Sequence, residues 1–506
     1  MVALSPILLT SYLLATSNDG GRGKTRRSGR GYVDGPRTFR GRDDGNSGRG
    51  GEGGRGGLGR KRYNREGAKR TYSNDEDMRQ KDVSPLPPLT KANSPRPSYY
   101  TCRHTYESTL MNEIHRFVEM NTDGKVIATS PYPGLVRVED EDEILLEHYN
   151  PVYALQSMPN TVVVSAVSIK GIAKAVLAAL LGGEDDTVVD AITIQQRESL
   201  CAADRGSLNI HALVPGMCKG QKTPVMHHRS TKIGEELAKM MKKVYPAARK
   251  AAIDDEGNIV EPNERWLLQV MLQSNDIAVA SLTQCKFLGP GRTSYWPNYC
   301  LPVGLAKVDI EGDMPSSAYR KLMEGFECMR IMPSKSAVVV DLGACPGGWT
   351  SVMRRLGCSV VAVDRSALDP VLMSDDCVQF VKGDAFTFEP TMVEEGGDCW
   401  MISDIIAYPD RIIELLDKWC SGNLASHMIV TMKFQGEEPA LDELDKAVKI
   451  VESHAYDCRV KHFFNNKNEV TFMVSEKRND LEGKALDLPL GILGTPMYPI
   501  TLGGLN

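Results

Sequence analysis

Most of the residues of this chain whose types and spacing could do chemistry lie after Pro333. A β-branched run, Ser336 to Leu342, leads into Gly343-Ala-Cys-Pro-Gly-Gly-Trp-Thr350 and then into Ser351-Val-Met-Arg-Arg-Leu-Gly357, which reads as strand, glycine turn and helix. Gly343, Gly347 and Gly348 let backbone pass close to a ligand, and Asp341 ends the strand where a carboxylate can meet a ligand's amine. A second strand, Ser359 to Val363, ends in Asp364, at the spacing where an acid grips ribose hydroxyls in nucleotide-binding α/β folds. Asp384, in Lys382-Gly-Asp-Ala-Phe386, can meet an adenine amino group; standing alone it would be a solvated turn aspartate. The turn contains Pro346 and is not GxGxxG, so it offers no pyrophosphate cradle. It suits S-adenosylmethionine better than a dinucleotide, and a dehydrogenase is the alternative.

The elements that must position these groups follow in order. Asp398 to Asp404 reads as a buried strand ending in a carboxylate, and Pro409 opens an amphipathic helix over Asp410 to Cys420. His427 to Lys433 is an apolar strand ending in a lysine, and Glu469 to Val474 is a last strand beginning with a glutamate. Ligand sites in open α/β sheets lie outside the carboxyl ends of parallel strands. If the last strand is antiparallel, Glu469 shares that edge and all these charges converge on one crevice. A lone strand-end lysine is more often solvated or salt-bridged. Here Lys321, Asp404, Lys433 and Glu469 form an ordered set.

The whole chain has 506 residues and a net charge of −5, room for about two domains and a tail. Residues 21–70 alone hold 16 basic and 5 acidic side chains, so a cationic arm is appended to an acidic body. From Asn18 to Arg70 the chain is mostly Gly and Arg, which cannot bury enough apolar area to order itself. Such arginines hold RNA without reading it, and a solubilising linker is the bland alternative. The 12 cysteines include no CxxC pair, so reduced thiols and no metal site are expected. No run of 18 apolar residues suggests a membrane span. Residues 2–16 are either an address, organellar rather than secretory because arginines follow it, or a frayed N-terminus.

Asp341-Leu-Gly-Ala-Cys-Pro-Gly-Gly-Trp-Thr350 with the Lys, Asp, Lys, Glu set resembles the FtsJ-like family of ribose 2′-O-methyltransferases, and within it the bacterial RlmM group that methylates a cytidine ribose of large-subunit rRNA. The similarity extends upstream through Cys102-Arg-His-Thr-Tyr-Glu107, Pro151-Val-Tyr-Ala-Leu-Gln156 and Ser294-Tyr-Trp-Pro297. It implies an α/β, Rossmann-like methyltransferase domain with a mixed seven-stranded sheet over 306–480. An α+β THUMP-like RNA-recognition module would cover 99–305, a disordered arm and linker 18–98, a targeting segment 1–17 and a tail 481–506. It further implies S-adenosylmethionine as cofactor and RNA as partner; a monomer is expected, and residues 1–17, if an address, favour an organelle over the cytoplasm. Cys345, Pro346, Gly347, Gly348 and Trp349 would line the cofactor with Asp341, Gly343 and Asp404, while Asp364 would hold its ribose and Asp384 its adenine. Lys433 would be the catalytic base, with Lys321, Asp404 and Glu469 around it. A lysine amine titrates near about 10.4 in water, so the site must favour its neutral form: burial and a second cation do so, and carboxylates oppose them.

Two departures stand out. Ser316, Ser317 and Ala318 replace the group's Ser-Arg-Ser, so one polar cofactor contact is expected to be lost. Phe434-Gln-Gly-Glu-Glu-Pro439 replaces a basic stretch, which should weaken phosphate contacts beside the base. The rival of another class is a noncatalytic RNA-binding protein that keeps the fold.

Overall fold

In the computed structural model the described residues are 96–121, 125–140, 149–183, 191–214, 227–250, 252–257, 259–260, 262, 264–287, 295–298, 301–306, 308, 312–329, 331–390, 398–434, 436 and 440–476. The candidate address, the Gly/Arg arm, the C-terminal tail and most of the acidic stretch after Phe434 lie outside them.

The chain first builds an antiparallel sheet. β1 (Ser98–Thr101), α1 (Glu107–Asn121), β2 (Val126–Tyr132), β3 (Leu135–Asp140) and β4 (Gln156–Met158) give the strand order β2-β3-β1-β4. A second α+β unit follows: β5 (Val162–Ser165), α2 (Ile169–Leu181), α3 (Ala191–Ala202), β6 (Leu208–Leu213), α4 (His227–Val244), α5 (Pro246–Arg249), β7 (Ala252–Ile253), β8 (Ile259–Val260), β9 (Arg265–Leu272), β10 (Ile277–Phe287) and β11 (Tyr295–Trp296). Its sheet runs β11-β10-β9-β6, with β5 also pairing β10. α2 is capped by the Ser168 hydroxyl, which accepts the Gly171 N–H.

The remaining elements are α6 (Tyr319–Met329), β12 (Val338–Leu342), α7 (Gly348–Leu356), β13 (Ser359–Asp364), α8 (Pro370–Met373), β14 (Val378–Lys382), β15 (Cys399–Ser403), α9 (Pro409–Ser421), β16 (His427–Lys433), α10 (Leu441–Ser453), β17 (Tyr456–Lys461) and β18 (Glu469–Glu476). They form a mixed seven-stranded sheet, β14-β13-β12-β15-β16-β18-β17. The pairs among β12 to β16 are parallel, and β18 is antiparallel to both β16 and β17. Near-continuous apolar strands such as β12 and β16 suit a sheet covered on both faces. One face packs Leu322, Phe326, Trp349 and Val352 of α6 and α7; the other packs Ile412, Leu416, Trp419 and Val451 of α9 and α10.

Leu110, Ile114 and Val118 of α1 and Tyr100 of β1 belong to that second core, whereas β5 to β10 enclose one of their own around Ile172, Val176, Leu237 and Leu268. The region read as a single upstream stretch thus contributes to two cores. A buried lysine stitches its first part to the sheet: Lys461 on β17 donates to the carbonyls of Pro151 (2.5 Å) and Ala154 (2.9 Å) and to the Asn150 side chain. Glu113 on α1 accepts the Val152 and Tyr153 N–H groups at 2.6 and 3.0 Å, fixing the same turn from the other side.

Candidate active site

The crossing of β16 and β18 sets the register that matters. Because β18 is antiparallel, Lys433 at the end of β16 pairs directly with Glu469 at the start of β18. Asp404 follows β15 on the neighbouring strand, and Lys321 reaches the same place from the first turn of α6. Lys321 Nζ donates to both Asp404 carboxylate oxygens, at 2.7 and 2.6 Å, and to Glu469 Oε1 at 3.1 Å. Lys433 Nζ donates to the Asp404 carbonyl at 2.6 Å and lies 3.1 Å from Asp404 Oδ1, which also accepts the Thr431 hydroxyl at 2.8 Å. The side chains of Glu469, Lys321, Asp404 and Lys433 are 8, 9, 16 and 19 % exposed. Burial alone would raise the Asp404 carboxyl. The charges of Lys321 and Lys433, helped by hydrogen bonds from Lys321 and Thr431, outweigh it and hold the group below the usual carboxylate range.

Beside this cluster the glycine turn links β12 to α7. Gly343 N and Ala344 N donate back to Val363 O at 2.9 and 3.3 Å. The Cys345 and Ser366 N–H groups each donate to one oxygen of Asp364, at 3.0 and 2.8 Å. Cys345 and Pro346 form the exposed face of the turn. Asp384, after β14, pairs with Arg365 and accepts the Phe386 N–H at 2.9 Å; both contacts, the backbone one first, depress its carboxyl. All of these groups stand at the carboxyl edge of the parallel strands, the edge at which such sheets bind ligands.

Residues 314–434, from ahead of α6 to the end of β16, match the model of the FtsJ-like methyltransferase family. Over that stretch the chain is similar to FtsJ-like methyltransferases. Among curated proteins it is similar to "Ribosomal RNA large subunit methyltransferase M" of Pseudoalteromonas atlantica, at 26% identity over 49% of this chain and 69% of that protein. The protein of the same name from Halorhodospira halophila is 26% identical over 55% of this chain and 76% of its own length. That from Shewanella sediminis is 30% identical over 34% of this chain and 51% of its own length. The chain therefore spans between about half and three quarters of these relatives.

Apart from Asp404, which lies in the lysine cluster, the expected cofactor residues separate into two groups. Cys345, Pro346, Asp364 and Asp384 line the open edge, with Gly343 partly exposed behind them. Asp341, Gly347, Gly348 and Trp349 are buried and support the turn from beneath. Asp341 is 1 % exposed and accepts the Thr350 hydroxyl at 2.6 Å; burial pushes its carboxyl up to about 7. Trp349 is 3 % exposed, packs in the core and donates its indole N–H to Ala318 O at 2.9 Å. The two glycines answer to the chain itself: at Gly347 (φ +109°) a Cβ would lie 2.2 Å from Leu372 Cδ1, and at Gly348 2.3 Å from Ser316 Oγ.

Sequence reasoning missed Thr431, whose hydroxyl fixes Asp404, although its place two residues before Lys433 on the same face of β16 is a usable signal. It also missed Glu324, one turn beyond Lys321. Glu324 accepts the Phe464 and Asn465 N–H groups at 2.7 and 2.9 Å and the Asn465 amide at 2.8 Å, tying α6 to the turn ahead of Glu469. Among the described residues no cluster of His, Cys, Asp and Glu is arranged to hold a metal ion.

Proposed function

We propose that this protein transfers a methyl group from S-adenosylmethionine to a ribose 2′-hydroxyl of large-subunit ribosomal RNA. The observation that carries the reading is the unequal standing of the two lysines around Asp404. Lys321 is the deeper one and has all three of its N–H positions matched by carboxylate oxygens. Lys433 is more open and is aimed by the Asp404 carbonyl, so it is the amine a substrate hydroxyl would meet.

When bound, S-adenosylmethionine supplies a methyl group already activated on a sulfonium. The open edge suits its adenosine half, since Asp364 and Asp384 offer acceptors for a diol and an amine. Each Asp364 oxygen already accepts one N–H and keeps lone-pair capacity for a hydroxyl. Lys433 Nζ, as the neutral amine after releasing a proton to solvent, would take the proton of the ribose hydroxyl as that oxygen gains the methyl and the thioether leaves. Lys321 keeps Asp404 and Glu469 in place, and Thr431 and the Asp404 carbonyl hold the geometry. Much of the rate would come from presenting the hydroxyl in line with the methyl.

The substrate class rests on the names of the relatives. RNA recognition is assigned to residues 99–305, read as THUMP-like, with the Gly/Arg arm holding RNA nonspecifically. The test is transfer of tritiated methyl from S-adenosylmethionine to purified large-subunit and small-subunit rRNA, followed by alkaline hydrolysis. Label in alkali-resistant dinucleotides of large-subunit rRNA supports the reading. Label confined to bases, or no label with the methyl donor bound, contradicts it.

A further inference from the structure

One peptide unit connects the N-terminal segment to the lysine and carboxylate cluster. The bond between Asn466 and Lys467 presents its carbonyl to the Arg103 guanidinium, and its N–H donates to Glu469 Oε1 at 3.1 Å. That same Glu469 oxygen accepts Lys321 Nζ. A cation on the carbonyl side polarises an amide and strengthens the hydrogen bond its N–H donates, so the two contacts reinforce each other. The next carbonyl, Lys467 O, accepts from Tyr106 Oη at 2.9 Å, His462 Nε2 at 2.9 Å and Arg103 Nη1 at 3.2 Å. Arg103 and Tyr106 are remote from these carbonyls in sequence and lie in the turn between β1 and α1. Tyr106 stacks on Tyr153 and packs against His462, and Thr105 between the two residues holds φ +78°, a conformation disfavoured for a β-branched side chain. Strained turns persist where the surroundings fix them, and here they are fixed by contacts that end on the catalytic cluster.

We propose that Arg103 and Tyr106 are positioning residues for methyl transfer: they set the Asn466–Lys467 peptide, which orients Glu469 and through it Lys321. The proposal rests on the methyltransferase reading. Among the described residues, the side-chain hydrogen bonds and ring contacts of Arg103 and Tyr106 run to residues 462, 466, 467 and Tyr153 and not to Cys345, Pro346, Asp364 or Asp384. Arg103→Ala is therefore expected to lower kcat about tenfold or more while leaving the KM for S-adenosylmethionine and its calorimetric affinity unchanged. Arg103→Lys, which keeps the charge, should recover part of the loss. Tyr106→Phe, which removes one hydroxyl and keeps the stacking, should lower kcat by a smaller factor.

The experiment is single-turnover methyl transfer with the full chain in a double-mutant cycle: Arg103→Ala, Glu469→Ala and both. If Arg103 acts through Glu469, the double variant is no slower than Glu469→Ala alone. Losses that multiply, or a change confined to the KM for RNA, would overturn the proposal and leave Arg103 an independent structural or RNA-contacting residue. Should Arg103→Ala fail to fold, Tyr106→Phe in the same cycle separates the same two outcomes. Absence of transfer by the unsubstituted protein would instead overturn the methyltransferase reading, so the two failures are distinguishable.

Discussion

Replacing Lys321 by methionine keeps the side chain's length and removes the cation that Asp404 and Glu469 share. Three charge-assisted hydrogen bonds, at 2.6, 2.7 and 3.1 Å, are lost from a site where the carboxylate side chains are 16 and 8 % exposed. Removing one partner of a buried ion pair costs about 3–5 kcal/mol, because the other charge stays buried. Asp404 keeps Thr431 and Lys433, and Glu469 keeps the Lys467 N–H, which places the expected loss at the low end, about 3 kcal/mol. At roughly 2–4 °C per kcal/mol, melting should fall by about 6 °C or more. The loss should depend on pH. Since the Asp404 carboxyl is depressed in the folded state, the stability it contributes is present above the unfolded-state value and lost as pH falls through the folded one. Without Lys321 that folded value rises, so protonation relieves the variant first. Calorimetric melts at pH 8 and pH 5 should show a wide gap between variant and wild type at pH 8 and a narrower one at pH 5. Equal gaps, or none, would refute the electrostatic account of the cluster.

Two further outcomes are expected. Gly347→Ala forces a left-handed residue and a contact 2.2 Å from Leu372 Cδ1; the left-handed conformation alone costs about 1–2 kcal/mol, and methyl-donor affinity should fall in titration calorimetry. Unchanged affinity would detach the turn from cofactor binding. Asp341 and Glu324 are both pushed by burial to about 7, so the stability they contribute is full below their unfolded values and is lost as pH rises through about 7. Asp341→Asn removes one of these two titrations, and melts from pH 5 to 8 should show a shallower decline than in the wild type; an identical slope would count against burial as the cause.

How much was legible in the sequence depended on the range of the interaction. The strands ending at Asp364, Asp404 and Lys433 are short apolar runs closed by a charge, and they lie where the pattern places them. The convergence of Lys433 and Glu469 followed from the strand direction alone. Depth was not legible: Asp341 and Trp349 sit in a motif that reads as a ligand loop, yet whether a loop residue faces in or out is decided by Ala318, Thr350 and the packing of α7. The glycines show the same limit, because Leu372 and Ser316 approach Gly347 and Gly348 only in the folded chain. α10 and β17 escaped the reading, although β17 supplies the edge of the sheet and the buried Lys461. Arg103 and Tyr106 lay in a recognisable motif, but their partner at 466–467 is fixed only by tertiary structure.

The most direct measurement compares wild type with Lys433→Ala for tritiated methyl transfer from S-adenosylmethionine to large-subunit rRNA, alongside calorimetric binding of the methyl donor. The account requires that transfer into alkali-resistant linkages falls by at least about a hundredfold, as expected for loss of a general base, while methyl-donor binding is retained. Transfer that survives in Lys433→Ala at the wild-type rate would contradict it.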